Sequence, residues 1–186
     1  DGKDVNRSFP GSKNGSLASR VAYTLTKEIL PHIDIALDFH TGGRAVYNYP
    51  QSRAFEEDEA SIQLAEEFGM PLLIKGGLVK KSLRKTAFDM NIPMIVFEGG
   101  ESLRMDEFSI EEGLKGIERV LIARGMKDGK LPKVKRTVIN DGTWIRARRS
   151  GIFKCIKKSG DTVEQGDVLG TISGPSGEFE IQVKAR

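Results

Sequence analysis

Apolar positions along the first two thirds of the chain follow two alternating periods. Ala18, Val21, Ala22, Leu25 and Ile29 fall at three- and four-residue steps, which predicts an amphipathic helix over 18–30 that Pro31 closes. Ile33, Ile35, Ala36, Leu37 and Phe39 then form a short, mostly apolar run, the pattern of a strand buried in a parallel sheet, ended by His40-Thr41-Gly42-Gly43. A second helix is predicted over 57–68, with Ala60, Leu64, Ala65 and Phe68 on one face and Gly69 as its stop. Ile92-Pro93-Met94-Ile95-Val96-Phe97 repeats the strand pattern and ends at Glu98-Gly99-Gly100. Ser109 with Glu112 reads as a capping box opening a helix whose Ile110, Leu114, Ile117 and Leu121 share a face as far as Gly125. Segments 42–55 and 72–86 show neither period and read as loops. Helices alternating with buried strands predict an α/β domain over 1–126, a mainly parallel sheet with flanking helices.

From residue 127 the helical period is lost. Segment 127–136 is rich in charge, Gly and Pro and reads as a linker. Over 137–186 the pattern becomes short β-prone runs at 143–147, 151–156, 168–172 and 178–183, separated by turn signals such as Ser159-Gly160-Asp161. A small all-β unit is the expectation there.

Composition narrows the picture. Of 186 residues, 38% are hydrophobic and 30% charged, ordinary for a soluble globular protein, and no apolar run approaches the ~20 residues needed to span a bilayer. The first residues carry no secretory segment, so a cytoplasmic protein without membrane contact is expected. The net charge of +3 conceals an asymmetry: residues 1–126 hold 16 Lys and Arg against 19 Asp and Glu, residues 127–186 hold 13 against 7. The basic residues of the second part alternate with strand-forming ones and lack an aromatic stacking platform, which argues against nucleic acid as a partner. Cys155 is the single cysteine, so neither an internal disulfide nor a thiolate zinc site can form; it reads as a small core residue.

Three short pieces carry candidate chemistry: Asp4-Val5-Asn6-Arg7-Ser8-Phe9-Pro10-Gly11, Asp38-Phe39-His40-Thr41-Gly42 and Val96-Phe97-Glu98-Gly99-Gly100. In open α/β sheets ligands bind outside the carboxyl ends of the strands, where His40 and Glu98 would meet if their strands are neighbours. A histidine there can ligate a metal and a carboxylate can take a proton from water, although by spacing alone a structural histidine and a turn-capping glutamate are the commoner readings. Arg7 can hold a carboxylate in a two-pronged grip beside Asn6, or form a structural ion pair. Arg84 is a second candidate for an anion, or an ordinary surface charge. Tyr47 and Tyr49 could line the site or pack elsewhere.

The first piece resembles the D-[LV]-N-R-x-F-P-G signature of the succinylglutamate desuccinylase/aspartoacylase family, relatives of the zinc carboxypeptidases. His40 is similar in context to the family's third zinc ligand and Glu98 to its catalytic glutamate. The resemblance implies a hydrolase with one zinc ion that cleaves a small anionic N-acyl amino acid. Asn6 and Arg7 would hold the substrate carboxylate, with Arg84 as a weaker transfer; His40 would be the metal ligand, and Glu98 the catalytic base. The family's other two zinc ligands lie in a His-x-x-Glu piece upstream of the signature, and no such piece occurs in this sequence. The expectation is therefore a fragment, inactive by itself. A carboxypeptidase acting on peptides and a metal-free anion-binding or assembly module are the alternatives, and association through strand edges of an incomplete sheet is a further possibility.

Residues 151–169 resemble the biotinyl/lipoyl-like barrel-sandwich pattern. Gly174-Pro175-Ser176-Gly177 stands where carrier domains present their modified lysine, so the resemblance implies a structural or substrate-shielding role, in a unit that looks incomplete.

Overall fold

The computed structural model describes residues 2–43 and 46–186, which form two compact units, 1–141 and 142–186. In the first unit the elements run α1 (Leu17–Thr24), β1 (Ala36–Gly42), β2 (Asn48–Phe55), α2 (Glu59–Phe68), β3 (Leu72–Gly76), α3 (Leu83–Asp89), β4 (Met94–Glu101), α4 (Glu107–Ala123) and β5 (Thr137–Ile139). Five strands make one sheet in the order β1-β4-β2-β3-β5. β1 pairs with β4, β2 with β3 and β3 with β5 in parallel, and β2 runs antiparallel to β4, so the mainly parallel sheet is as expected.

The register separates two faces. Phe39 is opposite Phe97, and Phe97 opposite Ser52, so these side chains share a face with α2 and α4. There Ala54, Leu64, Phe68, Leu73, Ile95 and Val120 form the larger core. The rings of Phe39, Phe68 and Phe97 meet pairwise with centroids 5.3–6.0 Å apart, edge-on or tilted, the arrangements that aromatic quadrupoles favour. Gly116 lets α4 lie directly on the Phe68 ring, since a Cβ there would enter it. The opposite face carries a smaller core of Leu30, Ala87, Ile92 and Met94, and beyond it the polar ends of β1 and β4.

Several predicted boundaries change. The helix expected over 18–30 is α1 continued by a π turn, Leu25–Ile29, and a 3-10 turn, Leu30–His32, so Pro31 sits inside the last turn, where its missing N–H costs nothing. Asp106, not Ser109, caps α4; its carboxylate accepts the Ser109 N–H at 2.7 Å, and Ser109 is buried in the first turn. The expected loops 42–55 and 72–86 contain β2, β3 and α3, while positions 44–45 lie outside the described residues. β5 pairs with β3, which carries the first unit past the expected boundary at 136/137.

The second unit is a three-stranded antiparallel sheet, β6 (Ile152–Cys155), β7 (Val168–Ser173) and β8 (Glu180–Lys184), with β7 central. No strand forms at 143–147. Cys155 is exposed rather than in a core, its Sγ 3.0 Å from the Lys157 carbonyl oxygen.

Candidate active site

The signature segment folds as a tight turn fastened at both ends. Asp4 caps the 3-10 turn Val5–Arg7, its Oδ1 accepting the Asn6 N–H at 2.7 Å, and the Ser8 hydroxyl donates to the Asp4 carbonyl oxygen at 2.8 Å. Phe9 is buried and its N–H donates to the Lys81 carbonyl oxygen. Gly11 adopts φ +86°, and a side chain there would run into the backbone of Ser19 and Tyr23 in α1, so this position accepts only glycine. The Asn6 Oδ1 accepts the Leu83 N–H at 2.8 Å, which ties the turn to the start of α3. Arg7 is exposed; it donates to the Asn6 carbonyl oxygen at 2.6 Å and lies 4.0 Å from Asp4.

His40 and Glu98 are directly opposite each other in the β1–β4 register, at the carboxyl ends of two neighbouring parallel strands. Asp38, two residues before His40 and thus on the same face, holds the imidazole: Nε2 is 2.8 Å from Asp38 Oδ2. That hydrogen bond is the main reason the His40 pKa is raised; burial opposes it, and the charges of Asp38, Glu98 and Asp4 add to it. In the tautomer that carries its proton on Nε2, donated to Asp38, Nδ1 would be the nitrogen left to ligate a metal, the arrangement in which a carboxylate orients a ligating histidine.

Glu98 is four-fifths buried and surrounded by donors from β2. Asn48 Nδ2 donates to Oε2 at 2.8 Å, Gln51 Nε2 reaches the same oxygen at 3.4 Å, and Arg53 Nε lies 3.2 Å from Oε1. The ladder between β2 and β4 is irregular between Asn48 and Gln51, and this break lets two residues three apart meet one carboxylate. Arg84, half-buried, donates to the Gly77 carbonyl oxygen at 3.1 Å. Its pKa is lowered, first by desolvation and then by the positive charge of Arg53, against the pull of Glu98 and Asp38. Asp38, His40, Glu98, Arg53 and Arg84 thus form one electrostatically linked group, joined to Asn6 through Leu83. Arg7 makes its recorded contacts within its own turn.

Asp38 drew no role of its own from the sequence, and Asn48, Gln51 and Arg53 were missed, because segment 42–55 was read as a loop, whereas 48–55 is strand β2. The alternation Gln51, Arg53 across small, buried Ser52 and Ala54 was the available signal. Tyr47 instead donates to Asp106 at 3.3 Å and Tyr49 packs on Phe108 at 5.9 Å. His40 fits a metal as one ligand, but among the described residues no group of three His, Cys, Asp or Glu side chains converges to hold an ion. An apolar groove of about 350 Å³ runs between Phe39, Ile110 and Leu114; it borders His40 but not Glu98. No helix among the described residues is long and apolar enough to cross a membrane.

Comparison with known proteins shows what the chain and its fold are similar to. The chain is 27% identical to the N-alpha-acetyl-L-2,4-diaminobutyric acid deacetylase of Halomonas elongata, in a match covering 92% of this chain and 54% of the relative. The fold matches the ectoine utilization protein EutE (DoeB) of Ruegeria pomeroyi, with TM-score 0.85 and 22% identity over 98% of this chain and 61% of that one. It also matches a succinylglutamate desuccinylase/aspartoacylase from Rhodobacter sphaeroides, with TM-score 0.84 and 24% identity over 100% of this chain and 60% of that one. The chain therefore spans little more than half the length of these relatives. With residues 1–124 matched by the model of the succinylglutamate desuccinylase/aspartoacylase catalytic domain, the signature turn, His40 and Glu98 all fall within the matched region, and the chain belongs to that family.

Proposed function

We propose that this chain carries the base and one metal ligand of a zinc-dependent deacylase that hydrolyses the amide of a small, anionic N-acyl amino acid. The observation that carries this reading is the pairing of His40, oriented by Asp38 at 2.8 Å, with Glu98 directly across the strand register. Bound zinc would supply a Lewis acid for the amide carbonyl. His40 would hold it through Nδ1; a catalytic zinc ordinarily has three protein ligands, so the others have to come from outside these residues, and the chain by itself is inactive. Glu98 takes the proton of the attacking water and returns it to the leaving amine. The Asn6 amide and the Arg7 guanidinium grip the substrate carboxylate, and Arg84 adds positive charge on the same side.

The Halomonas elongata relative, a deacetylase of an acetylated diamino acid by its name, supports an N-acyl amino acid as the substrate class. The test is a panel of N-acetyl and N-succinyl amino acids, with short peptides for comparison, offered to the longest natural polypeptide that contains this chain. Glu98→Gln is expected to reduce kcat by about 10²–10⁴-fold, the usual share of general-base catalysis. Wild-type turnover in that variant, or turnover of peptides alone, would overturn the reading.

A further inference from the structure

Glu98 is a side chain with two unlike oxygens. Oε2 accepts a short hydrogen bond from Asn48 at 2.8 Å and a long one from Gln51 at 3.4 Å, which occupies its acceptor positions. Oε1 has Arg53 Nε at 3.2 Å, yet that nitrogen is buried without an aligned hydrogen bond, so the pairing is electrostatic rather than directional. Among the described residues no hydrogen bond to Oε1 is present, which leaves its lone pairs for a proton. Strand β2 supplies all three partners, and its antiparallel register, with Gln51 opposite Glu98 and Arg53 opposite Val96, brings Arg53 onto the face that carries Glu98.

We infer that Arg53, with Asn48, is a positioning residue for Glu98. Asn48 pins Oε2, Arg53 holds the negative charge in place beside it, and Oε1 is left as the oxygen that accepts the proton. In the reaction, a water O–H bond breaks and its proton moves to Oε1 while the water oxygen bonds to the acyl carbon. The C–N bond then breaks, and the proton passes from Oε1 to the amine nitrogen. Arg53 touches no reacting atom in this scheme; it acts through Glu98. The alternative role for a guanidinium at this place, a grip on the substrate's own carboxylate, leaves a different kinetic signature, because it contributes to binding rather than to turnover.

This inference rests on the hydrolase reading, and the experiment separates the two. In the longest natural polypeptide containing this chain, Arg53→Gln is expected to lower kcat by about 10–100-fold, the cost of a misplaced catalytic group, with KM within about threefold. Arg53→Lys, which keeps the charge and is the milder change should Arg53→Gln not fold, is expected to recover part of the loss. Added to Glu98→Gln, Arg53→Gln is expected to cost nothing further, since residues acting through one group are not additive. Independently of activity, the Arg53 Nε–H resonance of the 186-residue chain is expected to shift when Glu98→Gln is introduced. Wild-type kcat in both Arg53 variants, a rise in KM alone, a full additional loss in the Glu98→Gln background, or an Nε–H resonance indifferent to Glu98 would each overturn the assignment. Wild-type turnover in Glu98→Gln would instead defeat the hydrolase reading, with the resonance still reporting whether Arg53 holds Glu98.

Discussion

In residues 1–141, Leu64, Phe68, Met70, Leu73 and Ile95 are wholly withdrawn from solvent, whereas in residues 142–186 the well-buried apolar side chains are Ile172 and Ala185, and Trp144, Ile152 and Phe153 stand more than half exposed. The cause is architectural. A sheet with helices on both faces can bury both alternating rows of its side chains, while a three-stranded antiparallel sheet without a helix buries little beyond the inner row of its central strand. Precision resides in the first unit: Glu98 is held by two donors and the charge of Arg53, on strands β2 and β4 that the cores of that unit fix in place.

The comparison is most exposed to failure at Phe68. Phe68→Ala removes the ring that joins Phe39, Phe97 and Gly116, and is expected to destabilise the first unit by about 3–5 kcal/mol, read from urea midpoints. A loss below about 1 kcal/mol would mean that the aromatic cluster is not the centre of the core. Ile172→Ala should cost about 2 kcal/mol, the low end for such a truncation, because few neighbours surround the site. Hydrogen exchange should show protection lost at 152–184 and unchanged at 36–101; loss in both would show that the two units unfold as one.

A smaller, pH-dependent effect belongs to the cap of α4. The Asp106 carboxyl is held below its ordinary pKa by Ser109, against the effect of burial, and Tyr47 contributes further. Of the two Ser109 groups, the N–H donated at 2.7 Å is the firmer partner, since the buried hydroxyl has no aligned acceptor. A depressed carboxylate pKa adds stability above the unfolded value near ~4, and that stability is lost as pH falls through the folded value. Asp106→Ala should therefore cost about 1 kcal/mol at neutral pH and nothing near pH ~2, measured as paired urea midpoints. The smallest effect is expected at Trp144, where an exposed side chain replaced by serine should change stability by no more than about 0.5 kcal/mol; a larger loss would reveal packing in the second unit that its exposure does not suggest.

Legibility in the sequence followed the same division of forces. β1, α2, β4 and α4 were readable because each buries a continuous run or a helical stripe, and His40 and Glu98 were readable because they follow such runs. β2 was not: Asn48-Tyr49-Pro50-Gln51-Ser52-Arg53 is polar on its site face, contains a proline and owes its place to pairing with β3 and β4, partners distant in sequence. The group that surrounds Glu98 was therefore hidden together with the strand that carries it. Asp106 was overlooked as a cap because Ser109 with Glu112 matches the capping-box pattern and Asp106 does not; the hydrogen bond from the Ser109 N–H to Asp106 makes Asp106 the cap. In the second unit, turn signals located β6, β7 and β8 but predicted a strand at 143–147 that has no partner to pair with.

Zinc content decides whether His40, at the end of β1 beside Glu98 of β4, ligates a catalytic zinc as proposed. Dialysed samples of the longest natural polypeptide containing this chain, of its His40→Ala variant and of the 186-residue chain should be assayed by elemental analysis. About one tightly held zinc is expected in the first and none in the other two, as for a three-ligand site deprived of one or more ligands. Zinc retained undiminished in His40→Ala, or absent from all three, would contradict the proposal.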